Sequence, residues 1–202
     1  MKKLGLMLLP ILAMTLLLGG NAFADDTYQV TYYSNANTTG APDGTLRITN
    51  DGATVAAGVS QSLYAAIYVF DDSEELQECC ACEISPNGLL SESVDKELTA
   101  NTVTMAKPTR GVIEVVANTS SNPASVTALA HGLAGWMTQI QGSQINLTTS
   151  KWSGPFVINQ SPLTFADLSA AELTELTSTC GYAMILGSGG GVCSCSLEDH
   201  DF

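Results

Sequence analysis

Apolar and polar residues alternate along much of this chain, and the alternation gives way to helical spacing in two places. Tyr28, Val30 and Tyr32 alternate with Gln29 and Thr31, which predicts a strand whose tyrosine and valine face is buried. A polar loop over residues 34–44 ends in Pro42-Asp43-Gly44, and a second strand over 45–49 centres on Leu46 and Ile48. After the Asn50-Asp51-Gly52 turn, residues 54–59 form a weaker strand of small residues. Residues 63–70, Leu-Tyr-Ala-Ala-Ile-Tyr-Val-Phe, are apolar without a break and predict a central strand buried on both faces. Further strands are expected at 102–106, 111–117, 145–149 and 155–158.

Helical spacing begins at Asn122-Pro123, a capping side chain followed by proline in the first turn. Val126, Leu129, Leu133, Trp136, Met137 and Ile140 fall on one stripe, Gly142 ends it, and His131 falls on the opposite, solvent face. A second helix starts at the capping box Ser169-Ala-Ala-Glu172, with Leu168 and Leu173 at the staple positions. Leu173, Leu176 and Cys180 share its inner face, and the glycine run 187–191 terminates it. Runs of strands interrupted late by two helices predict an α+β fold, mainly an antiparallel β-sandwich with two packed helices.

Cysteine placement changes this picture most. All six cysteines lie in two triplets, Cys79-Cys80-x-Cys82 and Cys180…Cys193-x-Cys195. In an extended segment residues i and i+2 share a face, so Cys80 and Cys82 point together, as do Cys193 and Cys195, with Cys79 opposite. A bridge between the adjacent Cys79 and Cys80 would strain the peptide geometry. The expected state is a disulfide framework without free thiols, in which at least one bridge joins the triplets and Cys180 crosses to the 79–82 segment. The alternative is a thiolate metal site drawn from the same six cysteines, although their spacing is tighter than zinc motifs use.

Residues Met1–Ala24 have the form of an export signal: Lys2 and Lys3, a short apolar core from Leu4 to Leu18, and the cleavage motif Ala22-Phe23-Ala24. Its apolar run is too short to span a membrane, no second long apolar stretch follows, and residues 25–202 form one exported domain, extracellular or periplasmic. The oxidising destination favours disulfides over metal. The whole chain has 20 acidic against 7 basic residues, a net charge of −13. Loss of the two leader lysines makes it about −15. So acidic a surface argues against nucleic-acid partners, and no membrane insertion of the mature chain is expected.

The segments Glu78-Cys-Cys-Ala-Cys-Glu-Ile-Ser-Pro-Asn-Gly88 and Ala171-Glu-Leu-x-x-Leu, leading to Cys180 and then Leu186-Gly-Ser-Gly-Gly-Gly-Val-Cys-Ser-Cys195, resemble an uncharacterised family of exported, cysteine-rich bacterial proteins. Residues 63–70 and the stretch around Trp136 are similar as well. The resemblance implies one exported domain with both triplets as its signature. It carries no activity, cofactor or site residue with it.

Catalytic patterns are sparse. The chain has two histidines, His131 and His200, no Gly-x-Ser-x-Gly elbow, no His-Glu-x-x-His helix and no dinucleotide fingerprint. The acidic cluster Asp71-Asp72-Ser73-Glu74-Glu75 lacks the spacing and glycine of a calcium loop and reads as a solvated turn. The glycine run follows a helix and precedes no Lys-Ser/Thr pair, so it is no phosphate loop. A hydrolase of the two-carboxylate kind would draw on Glu83, Glu92 or Glu114, which the sequence alone does not pair. The expectation is therefore a non-catalytic structural or interaction protein, with the thiolate metal protein and the carboxylate hydrolase as alternatives. No cofactor is called for. Self-assembly could run through the strand Tyr28–Tyr33, exchanged between copies, although pairing within its own sheet is the simpler outcome.

Overall fold

The computed structural model describes residues 27–195, apart from 57, 147, 150, 188 and 189. The expected leader Met1–Ala24 and His200 lie outside the described residues. Among the described residues, eleven strands and one α-helix follow in chain order: β1 (Tyr28–Ser34), β2 (Thr45–Asn50), β3 (Val55–Ala56), β4 (Val59–Ser60), β5 (Leu63–Asp71), β6 (Leu76–Ile84), β7 (Leu89–Ser93), β8 (Arg110–Asn118), β9 (Leu133–Asn146), β10 (Lys151–Pro162), β11 (Thr164–Phe165) and α1 (Ala170–Leu186). A five-residue π-helical turn, Val94–Leu98, separates β7 from β8. The expected α+β class, a mainly antiparallel sandwich with two helical elements, is therefore what the chain adopts.

Two antiparallel sheets face each other. The first has the order β11-β1-β8-β5-β6 and the second β10-β9-β2-β7, while β3 and β4 form a separate small hairpin. Between the sheets lies the larger core, with Leu46 and Ile48 from β2, Ile67 and Val69 from β5, Ile113 and Val115 from β8, and Leu133 and Met137 from β9. The far face of the first sheet is covered by α1: Ala66, Tyr68, Cys79 and Val116 meet Leu176, Cys180 and Ala183. This three-layer arrangement is why β5 reads as an unbroken apolar run. Its even and odd residues enter different cores, and six of its nine residues are buried.

The expected N-cap at Ser169 forms: its Oγ accepts from the Glu172 N–H at 3.0 Å, and its side chain satisfies a donor that the helix start would otherwise leave open. Leu176, Cys180 and Ala183, spaced by four and three residues, are the buried stripe.

Four expectations need correction. The segment 122–142 is not a helix. Asn122 and Pro123 begin only a turn, in which the Asn122 side chain accepts from the Ala124 N–H at 3.0 Å, and β9 follows from Leu133. The apolar residues that mimicked one helical stripe belong to two cores on opposite sides of a sheet: Val126 lies under α1, and Leu133 and Met137 lie between the sheets. No single helix could serve both. The weak helix formers Gly132, Gly135 and Thr138 favour the strand, which pairs with β2 on one edge and β10 on the other.

In β1 the buried faces also differ from expectation. Gln29, Thr31 and Tyr33 point between the sheets, while Tyr32 is 46% exposed. Gln29 can be buried because its side chain donates to the Leu133 carbonyl (2.7 Å) and accepts from the Gly135 N–H (3.1 Å), tying the two sheets together. Residues 102–106 form turns rather than a strand: the Met105 N–H donates to the Thr102 carbonyl, and Thr102 Oγ1 donates to the Ala106 carbonyl. The two short strands expected at 145–149 and 155–158 are parts of the β9–β10 hairpin, which is bulged between Ser153 and Phe156.

Candidate functional site

Strand β6 places the first cysteine triplet on an outer strand of the first sheet, with side chains alternating between the two cores as the i, i+2 rule requires. Cys79 faces α1, whereas Cys80 and Cys82 face the space between the sheets. The helix brings Cys180 to Cys79, and the segment after the glycine run brings Cys193 to Cys80 and Cys195 to Cys82. The paired Cα atoms are 5.9, 5.3 and 5.3 Å apart, ordinary distances for disulfides. All three bridges join the two triplets, and no cysteine is free.

The C-terminal segment also hydrogen-bonds along β6. The Cys79 N–H donates to the Gly191 carbonyl at 2.9 Å, and Cys79 and Val192 form a parallel bridge. The outer edge of β6 is thus met by backbone at Cys79, and the strand is sewn through both faces of the sheet. The sulfurs of Cys80, Cys82 and Cys195 lie within 4.8 Å of one another because two bridges run side by side. Each sulfur is already bonded to a second one, and a disulfide sulfur is not the thiolate that a soft metal requires. Three disulfides fit a non-reducing environment. Among the described residues no helix is long and apolar enough to cross a membrane.

Beside the staples sits a buried acid for which the sequence gives no signal. Glu78 is fully buried, and its Oε1 accepts from the Asn101 N–H at 2.6 Å, while Oε2 has no hydrogen-bond partner. Burial pushes its carboxyl up to about 7, against the opposing pull of the Asn101 N–H and the Lys107 charge.

The three candidate carboxylates are not brought together. Glu83 is exposed on β6, where the Tyr64 hydroxyl donates to it at 3.3 Å. Glu92 is fully buried on β7, an outer strand of the second sheet, where it pairs across with Leu46 of β2. Glu114, on β8, lies beneath α1. Burial and the nearby Glu172 and Glu175 raise its carboxyl, and a hydrogen bond from Tyr28 opposes them. Glu114 aligns with Tyr68 and Cys79, whereas Glu83 aligns with Tyr64. Four strand residues and two strand spacings therefore separate them, about 13 Å along and about 10 Å across. Glycosidase carboxyl pairs sit within about 5–9.5 Å. His131 is exposed, as expected, but on a loop, with Nδ1 3.4 Å from Thr27 Oγ1.

Two features that the sequence did not single out are on the surface. The first is the outer strand β10. Among the described residues it pairs with β9 on one side only, from Lys151–Asn146 to Pro162–Trp136, and β2 covers β9 only from Leu133 to Thr138. The rest of the hairpin therefore extends as an arm past β2. Beyond Thr138, Ser34 Oγ and Asn35 Nδ2 both donate to the Ile140 carbonyl, at 2.5 and 2.7 Å. Val157 and Ile158 on β10 are more than half exposed, as are Tyr182, Ile185 and Leu186 near the end of α1. The second feature is a cleft of about 620 Å³ between the root of this arm and the loop that follows β1, lined among others by Asn35, Asn37, Asp72, Arg110 and Gln141.

No protein-family model, curated protein or solved structure matches the chain.

Proposed function

We propose that this is an exported, non-catalytic structural or interaction protein, a subunit of a surface assembly in which copies meet along the open edge of β10. The observation that carries the reading is how charge is distributed relative to that edge. Between Glu114 and Asp167 the only Asp, Glu, Lys or Arg is Lys151, in a chain with 20 acids and 7 bases. Copies of so acidic a molecule repel one another over most of their surface. The arm is the part that can approach another copy without that cost. It presents backbone groups that nothing among the described residues pairs, on a long outer strand with Val157 and Ile158 exposed, the template that strand pairing needs. Pro155 and Pro162 lack an N–H and bound the pairing segment at Phe156–Ser161.

Exchange of β1 is the costlier route to assembly. β1 is paired with β8 over seven residues and with β11 over two, and exchange requires it to leave both. Export itself, through the leader Met1–Ala24, belongs to the same proposal, as does membership of the exported cysteine-rich family. The three bridges support export, since they fit a non-reducing compartment.

Sedimentation of the mature protein tests the assembly. Reversible self-association is expected, abolished by Ile158→Lys and insensitive to Ile185→Lys. A monomer at millimolar concentration, or an assembly dissolved by Ile185→Lys alone, overturns the β10 contact; the latter result would place it at the end of α1.

A further inference from the structure

We infer that the cleft at the root of the β9–β10 arm is a binding site for a neutral, hydroxyl-rich ligand, a short oligosaccharide. Its volume of about 620 Å³ lies in the range of small-ligand sites. The chemistry of its lining selects the ligand class. Arg110 donates Nε and Nη2 to Asp72 Oδ2, both at 2.6 Å, so the one cation and one anion among the described lining residues neutralise each other. An anion would have to compete with Asp72 for Arg110 on a strongly acidic molecule, and a cation would compete with Arg110 for Asp72. An apolar ligand would strip water from amides and hydroxyls without replacing its hydrogen bonds.

A polyol meets these groups in both directions. The Asn35 amide donates to the Ile140 carbonyl at 2.7 Å. The Asn37 amide donates to the Pro108 carbonyl at 2.9 Å and to Thr99 Oγ1 at 3.0 Å. With their N–H groups turned to the protein, both side chains keep their oxygens for hydroxyl donors. Both residues also hold a left-handed backbone, at φ 57° and 52°, which asparagine tolerates better than most residues. The fixed amides and this backbone set the loop before any ligand arrives. Gln141, which lines the cleft, donates to the Tyr32 hydroxyl at 2.8 Å and so ties a ring that is 46% exposed to the edge of the cleft. That hydroxyl still has its own proton to give, and the ring face suits the C–H face of a sugar.

The inference does not depend on assembly and is tested on the mature protein, whether or not it associates. Calorimetric titration uses neutral oligosaccharides of glucose, mannose, galactose and N-acetylglucosamine. At least one is expected to bind saturably, with Tyr32→Ala weakening it about tenfold and Tyr32→Phe weakening it less. Gln141→Leu reads the same wall if Tyr32→Ala does not fold, and a loss of affinity is again expected. No binding at about 10 mM ligand, well above the affinity of a useful site, overturns the inference. So does binding that both substitutions leave unchanged, or binding confined to sulfated or carboxylated saccharides.

Discussion

β6 and β10 are both outer strands of their sheets, and the chain treats them in opposite ways. Along β6, α1 supplies one disulfide on its own side, and the C-terminal segment supplies a backbone bridge at Cys79 and two disulfides between the sheets. Along β10 nothing among the described residues pairs with the outer edge, and its only protections are a bulge and the two flanking prolines. An exposed edge is a liability that proteins usually blunt, so the investment at one edge and its absence at the other indicate different tasks. β6 is where the fold is closed. β10 is where it is left open.

Breaking the closed edge has the largest expected effect. The bridges span 101, 113 and 113 residues, and a lone cross-link of that length stabilises by about 4–5 kcal/mol in the chain-entropy account. The three are not additive. Once Cys79–Cys180 is closed, Cys80–Cys193 adds only a loop of about a dozen residues, for which the same account gives about 3 kcal/mol. Full reduction should therefore unfold the protein at room temperature, while the double variant Cys82→Ala/Cys195→Ala should stay folded with a lowered melting temperature. Denaturant titrations of both species check this. A reduced protein as stable as the oxidised one would show that the staples do not hold the edge.

Glu78, beside the staples, sharpens the comparison through pH. Its folded carboxyl sits at about 7 against 4.5 for an ordinary glutamate. The folded state therefore holds a proton that the unfolded state has released between these values. The resulting stabilisation is complete below about pH 4.5 and is lost as pH rises through about 7, amounting to about 3 kcal/mol. Glu114 and Asp95 are also raised by burial and slope the same way, so the difference between wild type and Glu78→Gln is the useful quantity. The variant should match wild type near pH 4 and exceed it near pH 8 in chemical denaturation. Parallel curves for the two proteins across that range would refute the assignment.

The closed edge was largely legible in the sequence, and the open one was not. The i, i+2 rule placed Cys80 and Cys82 on one face and Cys79 on the other, and the capping box at Ser169 aimed Cys180 inward. These are local signals, carried by neighbouring residues. Glu78 left no such trace, because burial of an acid is decided by what Asn101 and the C-terminal segment place around it. The arm was hidden by coincidence: Val126, Leu133 and Met137 keep helical spacing while serving two cores. The tyrosines of β1 misled in a related way, since Gln29 could be buried only once the backbone of β9 was there to satisfy it. The cleft has no local pattern at all, as its lining runs from Ser34 to Thr149 and meets only in the fold.

The smallest effect, and the most direct reading of both edges at once, is amide hydrogen exchange. In dilute solution the Cys79 amide, bonded to the Gly191 carbonyl, should exchange only through global unfolding, since the bridges forbid local release of that edge. In β10, an outer strand, alternate amides between Phe156 and Ser161 face away from β9 and should exchange within the dead time. Those turned toward β9 should be slower but still faster than β6, because the arm can open without disturbing either core. Raising the protein concentration should leave β6 unchanged and slow the outward amides of β10, by the factor that the associated fraction dictates. Cooperative protection of 156–161 that saturates with concentration would identify edge-to-edge pairing. If these amides keep exchanging freely while the protein sediments as an oligomer, the contact between copies does not use the β10 backbone, and the open edge has some other task.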